Sequence, residues 1–503
     1  MMKISYGISA LALPALAVAV GVGANFLPDS AQPKLKVAAV TADGRAYLGC
    51  MGGAESAVQQ PAEVLGEANR VSGGAGVFLH GGAVHGGLWM PLSGAHDARA
   101  VTDPVPADNF VSSSALSQPQ LLGILRLDRR GSADMAAAGY SAHRAVGGDL
   151  RGIANSTCSW QTDSAWFVAS ETKVGTANRL VVINPAANPI TVRLNAYGSA
   201  GKLSLGSAQD ITVPAGGMKK IMLDGLIPED GRIAFEVTSQ TGFFTAQLQT
   251  LRLDGVTARG VDFVKPSVAG TDIYLPGLFL PAAEEKHTDL PGLPAEKEDG
   301  SSRPADSRYR AVLRIVNPGG KKQTVRVSVL SGQGMHPLPG SPQTEIAAKS
   351  VLDLSLKDLQ AGDYALRIES QTPISAGVEL AADSADAGTD IARISAVQPV
   401  RKGMAGFGVG SARLIVSAAE PARVKWTAFS ASGEKLKTGT LEADSGAGAD
   451  LPQGSAYVRV DSETEVYAGV ALRDDLGNGP GVDWVPVIPG VGENGKIRIS
   501  TVN

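Results

Sequence analysis

Three histidines, His80, His85 and His96, lie close together in a glycine-rich stretch near the amino-terminal end of the chain. Neutral imidazole is a common metal ligand, so this cluster is the first candidate for chemistry. No carboxylate or cysteine beside it has ligand-like spacing, and the intervening glycines would hold a metal poorly. The pattern favours an ordinary loop, and the sequence predicts no metal site.

Patterns for nucleophilic or phosphate chemistry are weaker still. Ser432 and Lys435 match the bare Ser-x-x-Lys pattern of penicillin-binding enzymes, which requires a helix, whereas Ser432 lies in a predicted hairpin turn. The glycine-rich stretch 406–410 lacks the strand and helix that flank a phosphate-binding loop. The sequence therefore predicts no catalytic residue and no cofactor.

Acidic turns recur along the chain at Asp254, at Asp383 with Asp386, and in the run Asp474–Asn478. Clustered carboxylates at one end of a β-sandwich can bind Ca²⁺, which takes about six to eight oxygen ligands. None of these turns has EF-hand spacing, and hairpin turns favour Asp, Asn and Gly for conformational reasons. Ordinary turns are the favoured interpretation, and calcium binding is the alternative.

Trp160 and Trp166 lie close to Cys158. An exposed pair of this kind could stack on the face of a sugar ring. The alternative is packing in a core or between domains, beside a disulfide. Exposure of this pair, or of Trp426 and Trp484, on one face would favour glycan recognition, whereas burial would exclude it.

A segment that occurs three times indicates the elements that position these residues: Phe235–Leu248, Leu366–Leu380 and Val458–Leu472. In each copy an alternating apolar run meets a short polar sequence, and a second alternating run follows. Because successive strand side chains point to opposite faces, each copy predicts a β-hairpin. Three copies indicate a modular array rather than one large catalytic domain.

The repeats extend upstream, where an apolar strand ending in Asn-Pro precedes another alternating strand. In the middle copy of that strand Val325, Val327 and Val329 are expected to face inward, while Arg326 and Ser328 face outward. One buried face and one wet face predict an antiparallel sheet.

Each unit closes with an acidic and an apolar residue, at Asp262, Asp390 and Asp483, and Asp149 marks an eroded first copy. Units of about 90–130 residues with several short strands are typical of immunoglobulin-like or fibronectin-like sandwiches. The predicted fold is all-β, with tandem antiparallel β-sandwich units after an N-terminal apolar segment. The predicted domains are a divergent β domain at 35–159 and β-sandwich repeats at 160–270, 271–402 and 403–503, with a charged insertion at 281–310. Weak helical patterns occur only at Ser56–Arg70 and Gln118–Arg130.

The N-terminus indicates export. Lys3 is followed by a largely apolar stretch from Ile4 to Val22 and then by small residues. Residues 1–26 are therefore predicted to be either a cleaved signal peptide or an uncleaved membrane anchor, and both place the remainder outside the cytoplasm.

Cys50 and Cys158 are the only cysteines of the chain. An even count in an exported chain predicts a disulfide, which here would contribute roughly 4–5 kcal/mol by constraining the unfolded chain. The alternative is a pair of buried thiols.

Composition excludes one class of partner. Lys+Arg 45 balances Asp+Glu 49, and aromatic residues make up only 5% of the chain. Neither a basic footprint nor base-stacking platforms are indicated, so no nucleic acid is expected. Membrane contact is expected only through the N-terminal segment.

Several short matches form a recognisable string: Cys158-Ser-Trp160, Trp166-Phe-Val168, Gly175, Leu180–Pro185, Val192 and Tyr197-Gly198. Over roughly residues 35–490 the chain resembles an actinobacterial family of exported proteins known only as a domain of unknown function. The resemblance implies tandem β-sandwiches, paired cysteines and an envelope location, but no activity. The chain departs from that family where Ala169 and Ser170 replace the glycine often found there.

Three functions are compatible with these patterns. The leading hypothesis is a non-catalytic extracytoplasmic protein of the cell envelope that scaffolds, spaces or adheres, with an envelope protein or a cell-wall glycan as partner. The second is a glycan-binding module that uses Trp160 and Trp166. The third is a hydrolase with its site in the first unit.

Overall fold

The structure is a computed structural model, and it describes residues 45–55, 75–80, 84–92, 99–102, 111–112, 123–129, 136–283 and 303–490, except residue 386. The chain divides into a unit of residues 1–36 and a compact unit of residues 37–503, and the described strands all belong to the second. The predicted signal or anchor at 1–26, the helix at Ser56–Arg70 and most of the charged insertion lie outside the described residues. No helix among the described residues has the length and apolar character needed to cross a bilayer.

The described chain is built of antiparallel strands, which confirms the all-β prediction. The first group of strands, called the first unit, comprises β1 (Arg45–Cys50), β2 (Ala75–His80), β3 (Val84–Pro91), β4 (Arg99–Thr102), β5 (Val111–Ser112), β6 (Gly123–Arg129), β7 (Ala136–Ala145), β8 (Gly152–Thr157) and β9 (Ser159–Trp160). These strands form two sheets, in the orders β4-β3-β6-β1-β9 and β5-β2-β7-β8.

The second unit also consists of two sheets. Its strands are β10 (Ser164–Ser170), β11 (Thr176–Ile183), β12 (Ile190–Gly198), β13 (Gly201–Leu203), β14 (Asp210–Val213), β15 (Met218–Met222), β16 (Ile233–Ser239), β17 (Thr245–Asp254) and β18 (Thr257–Val264), with one 3-10 turn at Gly206–Gln209. The sheet orders are β10-β16-β12-β13, with β14 also on β12, and β15-β11-β17-β18.

The third and fourth units each form one eight-stranded antiparallel sheet, because a single long strand joins the strand groups that are separate sheets in the second unit. The third comprises β19 (Ala269–Leu280), β20 (Tyr309–Asn317), β21 (Gln323–Ser331), β22 (Gly334–Pro337), β23 (Gln343–Ile346), β24 (Ser350–Ser355), β25 (Gly362–Ser384) and β26 (Gly388–Ser395). The fourth comprises β27 (Val400–Gly406), β28 (Ser411–Ala418), β29 (Ala422–Ser430), β30 (Lys435–Ala443), β31 (Gly446–Asp450), β32 (Ser455–Asp475), β33 (Pro480–Pro486) and β34 (Ile488–Pro489). The domain boundaries given above remain predictions, because residues 37–503 pack as one compact body.

The thrice-repeated segment is not a hairpin, and that prediction was wrong. In the second unit β16 pairs with β10 and β12, whereas β17 pairs with β11 and β18. In the third unit both halves belong to the continuous strand β25, whose first half pairs with β21 and whose second half pairs with β20 and β26. In the second unit the polar residues in the middle of the copy therefore carry the chain from one sheet to the other, whereas in the third and fourth units they lie within one long strand of a single sheet. Alternation identifies the two strands, but it does not specify their partners.

Two smaller expectations also need correction. The weak helical pattern at Gln118–Arg130 was wrong where the structure describes it, because Gly123–Arg129 is a strand between β1 and β3. Ser328, expected to face solvent, is buried, whereas Arg326 is exposed as expected. Val325, Val327 and Val329 line the apolar core of the third unit, as predicted.

The predicted disulfide between Cys50 and Cys158 is confirmed, with a sequence separation of 108 residues. It joins the end of β1 to the residue that precedes β9, next to the pairing of those two strands. The bond indicates folding in an oxidising environment, outside the cytoplasm.

Each unit packs on the next one along the chain, and the fourth unit packs on the first, so the four units form a closed ring. One hydrogen bond or ion pair from each seam illustrates the closure: Ser156 Oγ to Gln247 Oε1 at 2.7 Å, Arg252 to Glu379 at 2.6 Å, Trp484 Nε1 to the Pro276 carbonyl at 2.8 Å, and Trp160 Nε1 to the Pro489 carbonyl at 2.9 Å. The closing strands β8, β18, β26 and β33 pack against one another at the centre of the ring. We call the place where these four strands meet the junction.

Candidate functional site at the junction of the four units

The acidic residues that mark the end of each full repeat converge at the junction. Asp262 lies on β18, Asp390 on β26 and Asp483 on β33, and all three are buried. Equivalent positions of successive repeats meet because each repeat contributes the same closing strand to the centre. The sequence therefore identified these carboxylates as markers of the repeat, and the structure brings them together.

Lys265 supplies the central positive charge. It directly follows β18, and its Nζ lies 2.9 Å from Asp483 Oδ1 and 3.5 Å from Asp262 Oδ1. The side chains of all three residues have no exposure to solvent. Removing a lysine and two carboxylates from water is costly, and the cost is repaid only by close pairing and by further hydrogen bonds. The contact between Lys265 and Asp483 joins the second unit to the fourth.

Asp483 is saturated with hydrogen bonds. Its Oδ2 accepts hydrogen bonds from the backbone N–H of Asn155, at 2.5 Å, and from the Asn155 side-chain amide, at 2.8 Å. Its Oδ1 accepts one from the Trp484 N–H at 2.6 Å, in addition to the contact with Lys265. Since Asn155 lies on β8, this carboxylate also ties the first unit to the fourth.

Asp390 is held by backbone groups instead of a close cation. Its Oδ2 accepts hydrogen bonds from Ile153 N–H at 3.0 Å and from Val482 N–H at 2.9 Å, and its Oδ1 accepts one from Ile391 N–H at 3.0 Å. Burial raises the pKa of Asp390 well above its ordinary value, although these donors and the positive charge of Arg151 act in the opposite direction. This residue links three of the four units.

Asp262 is less well satisfied than Asp483. Its Oδ2 accepts no hydrogen bond, and the nearest cation on that side is Arg393, whose Nη1 is 3.7 Å away. Burial raises the pKa of Asp262 to about 6; Lys265 and Arg393 oppose this shift, and the nearby charge of Asp483 adds to it. The two carboxylates flanking Lys265 therefore differ. Both oxygens of Asp483 accept hydrogen bonds, whereas Oδ2 of Asp262 accepts none.

A second layer of charges lies between the second and third units. Arg252 makes a two-pronged contact with Glu379, at 2.6 and 2.7 Å, and Arg393 lies 3.3 Å from the same carboxylate. Burial by itself would raise the pKa of Glu379, but Arg252 and Arg393 outweigh it and hold the pKa at about 2. Glu171 also contacts Arg252, at 2.9 Å. The pair between Arg252 and Glu379 joins the second unit to the third, and Glu171 and Arg393 extend it within their own units.

The raised pKa of Asp390 gives the folding free energy a definite dependence on pH. The folded protein keeps a proton on Asp390 above pH 3.8, where the unfolded chain has lost it. Stability contributed by this group is therefore complete below the ordinary pKa and falls as pH rises. His143, whose pKa is lowered by burial, acts in the opposite direction near its ordinary value of 6.5. A comparison with a variant is needed to isolate Asp390.

As the pH is raised from about 4 to 7, we expect the melting temperature of Asp390→Asn to increase relative to that of the wild type. The wild type loses stability as Asp390 ionises, whereas the amide does not ionise. Scanning calorimetry of both chains across this range measures the difference. Asp450→Asn is the control, since Asp450 is largely exposed on its side chain, at 79%. If the melting temperatures of Asp390→Asn and the wild type differ by the same amount at every pH, the raised pKa of Asp390 is contradicted.

The predicted stacking residues are buried, so the glycan-stacking prediction was wrong for them. Trp160 is 7% exposed and donates a hydrogen bond to the Pro489 carbonyl. Trp166 is 4% exposed and stacks on Tyr197, with ring centroids 5.7 Å apart. Trp426 and Trp484 are also buried, at 4% and 1%. Trp160, Trp166 and Trp484 pack against neighbouring units, whereas Trp426 lies in the core of the fourth unit.

The acidic turns engage arginines and neighbouring polar groups. Asp474 pairs with Arg144 of the first unit at 2.5 Å, and Asp383 pairs with Arg310 at 2.7 Å. Asn478 donates a hydrogen bond to the Val146 carbonyl and accepts from Arg151. The carboxylates of Asp474 and Asp383 are therefore used to hold strands and units together. Asp386 lies outside the described residues.

The remaining sequence candidates are dispersed. His80 lies on β2 and His85 on β3, in different sheets, and His96 lies outside the described residues. Among the residues that the structure describes, no three metal-ligating side chains are grouped. Ser432 exchanges a hydrogen bond with Ser430, and Lys435 begins β30.

Sequence reasoning missed the basic partners at the junction. Lys265 and Arg393 each follow an acidic closing residue by three positions. A lysine or arginine within a strongly apolar closing strand was the available signal, because such a residue is rarely buried unless it is paired.

The fold and the junction define an all-β protein of four packed sandwich-like units held together by a buried ion network. The chain belongs to a family of unknown function, DUF5719, whose profile matches residues 111–454. This confirms the predicted membership of such a family, whereas the actinobacterial and exported attributes stay predictions.

Two solved structures share weak similarity with the chain. Thermotoga maritima 1070 is 14% identical over 25% of this chain and 93% of its own, with a TM-score of 0.18. An alpha-L-rhamnosidase of Streptomyces avermitilis, complexed with L-rhamnose, is 9% identical over 83% of this chain and 55% of its own, with a TM-score of 0.13. Both scores are too low to carry an argument. No curated protein matches the chain.

Proposed function

We propose that this chain is a non-catalytic extracytoplasmic protein of the cell envelope, which holds its four units as one rigid body and acts as a scaffold or spacer. The observation that carries the proposal is the fully buried contact between Lys265 and Asp483, which joins two units that are not adjacent in sequence. Such a contact fixes the positions of the units relative to one another, and a ligand in solution cannot reach it.

The closed seams support the same function. Arginine pairs between units and the packed closing strands restrict movement of one unit against another, and the disulfide fixes the first unit internally. A rigid body with a fixed outer surface suits a role that depends on distance and orientation. Residues 1–26 would attach this body to the membrane or direct its secretion.

The hydrolase alternative requires a pair of carboxylates that a substrate can reach. Asp262, whose pKa is raised by burial, and Asp483 lie at the junction and not in the first unit, and their side chains have no exposure. A glycosidase requires carboxylates that flank its substrate. The envelope protein or cell-wall glycan that would contact the scaffold is not identified by any described group.

The proposal is tested with the purified full chain and isolated cell-wall polysaccharide. We expect no release of reducing ends, and we expect the chain to be accessible to protease added to intact cells while a cytoplasmic marker is protected. Release of reducing ends that follows the purified protein through chromatography would overturn the non-catalytic assignment. Protection from protease in intact cells, with digestion after lysis, would overturn the location.

A further inference from the structure

The side chains of Lys265 and Asp483 are in contact at a place that solvent does not reach. The amine nitrogen and the carboxylate oxygen are 2.9 Å apart, and neither side chain is exposed. A proton that moves from the ammonium to a carboxyl group leaves an uncharged amine, which is a nucleophile, beside an uncharged carboxylic acid.

The surroundings of Asp483 favour attack on its carboxyl carbon. Asn155 donates two hydrogen bonds to Oδ2, and the Trp484 N–H donates one to Oδ1. Donors fixed around a carboxyl group stabilise the negative charge that develops on oxygen when a nucleophile adds to the carbon. These donors come from the first and fourth units, so the arrangement is complete only in the assembled ring.

Asp262 is placed to move the proton. Its Oδ1 lies 3.5 Å from Lys265 Nζ, and its Oδ2 accepts no hydrogen bond. Burial raises the pKa of this carboxyl group to about 6, so that it can hold a proton and release it near neutral pH. A buried acid in contact with the nucleophile is the group that general acid–base catalysis requires.

We propose that Lys265 and Asp483 join spontaneously in the folded chain to form an intramolecular isopeptide bond, with Asp262 as the catalytic acid and base. Lys265 Nζ forms a bond to Asp483 Cγ, the bond from Cγ to one Asp483 oxygen breaks, and that oxygen leaves as water. Asp262 takes a proton from the amine and delivers it to the leaving oxygen. An amine and a carboxylic acid become an amide and one water, so no oxidant or other reactant is needed.

The amide would fasten the second unit to the fourth across the ring. It would close a covalent loop from residue 265 to residue 483, which contains the whole third unit. The inference is independent of the partner or surface that the protein serves, because it concerns only groups inside the folded chain.

The intact mass of the folded, purified chain tests the inference. We expect a mass lower, by that of one water molecule, than the mass calculated for the disulfide-bonded chain. Proteolysis and peptide fragmentation should then place the loss on a branched peptide that contains Lys265 and Asp483. A wild-type mass equal to that of the disulfide-bonded chain would overturn the proposal and leave an ion pair only.

Two variants assign the roles. Asp262→Asn keeps the shape of the site and the pair between Lys265 and Asp483, and we expect it to retain the full mass. Lys265→Met removes the nucleophile and should also retain the full mass. Loss of water in Asp262→Asn would overturn the role of Asp262, and loss of water in Lys265→Met would overturn the assignment of the bond. Because the bond can form only in the folded chain, circular dichroism must first show that each variant is folded as the wild type is.

Discussion

Replacement of Lys265 by methionine is expected to lower the free energy of unfolding by at least about 3–5 kcal/mol, because it leaves two buried carboxylates without their partner and also prevents the proposed amide. Asp483 and Asp262 would remain fully buried, and neither can reach solvent. Urea unfolding followed by tryptophan fluorescence measures the change, since Trp484 directly follows Asp483 and Trp160 lies in the seam between the fourth and first units.

The matched control is Lys322→Met. Lys322 pairs with Glu345 at 3.1 Å, but its side chain is 70% exposed. An exposed ion pair contributes about 0–1 kcal/mol, so this variant should remain close to the wild type. If the two methionine variants lose the same stability, the buried network does not hold the units together.

Removal of the disulfide is the second large effect that we expect. The double variant Cys50→Ala, Cys158→Ala should unfold with a free energy about 2–5 kcal/mol lower than the wild type, because the unfolded chain regains the freedom of a long loop. The bridge spans 108 residues, which places the loss toward the upper part of that range. Thermal or urea unfolding with and without a reducing agent measures it.

The double variant contains its own control. Reducing agent should lower the stability of the wild type to that of the variant and should leave the variant unchanged, because the chain has no other cysteine. A variant as stable as the oxidised wild type would show that the loop is already constrained in the unfolded chain.

The strands and their grouping into repeats could be predicted from the sequence, because both depend on patterns among neighbouring residues. Alternation such as that of Val325, Val327 and Val329 has a period of two, which is the signature of a strand with one buried face. The recurrence of the segment around Phe235 in two later copies indicated repeats without reference to any structure. The pairing of Cys50 with Cys158 followed from there being no other cysteine.

The partners of the strands could not be predicted in the same way. The segment Phe235–Leu248 alternates identically whether its halves pair with each other or pass into two different sheets. The sites of Trp160 and Trp166 depend on seams between units, and no local pattern records which units touch. Lys265 was overlooked because its partner Asp483 is far away in sequence and belongs to another repeat.

Closure of the ring determines how the protein carries force. In an open string of domains a load passes through every domain in turn, and the weakest link yields first. Here the fourth unit packs on the first, and Lys265 meets Asp483 across the centre. A pull applied to the second and fourth units divides between two paths around the ring and the contact between Lys265 and Asp483 across it. The resistance of the ring to such a pull therefore depends on all the contacts between units together, and not on any one of them.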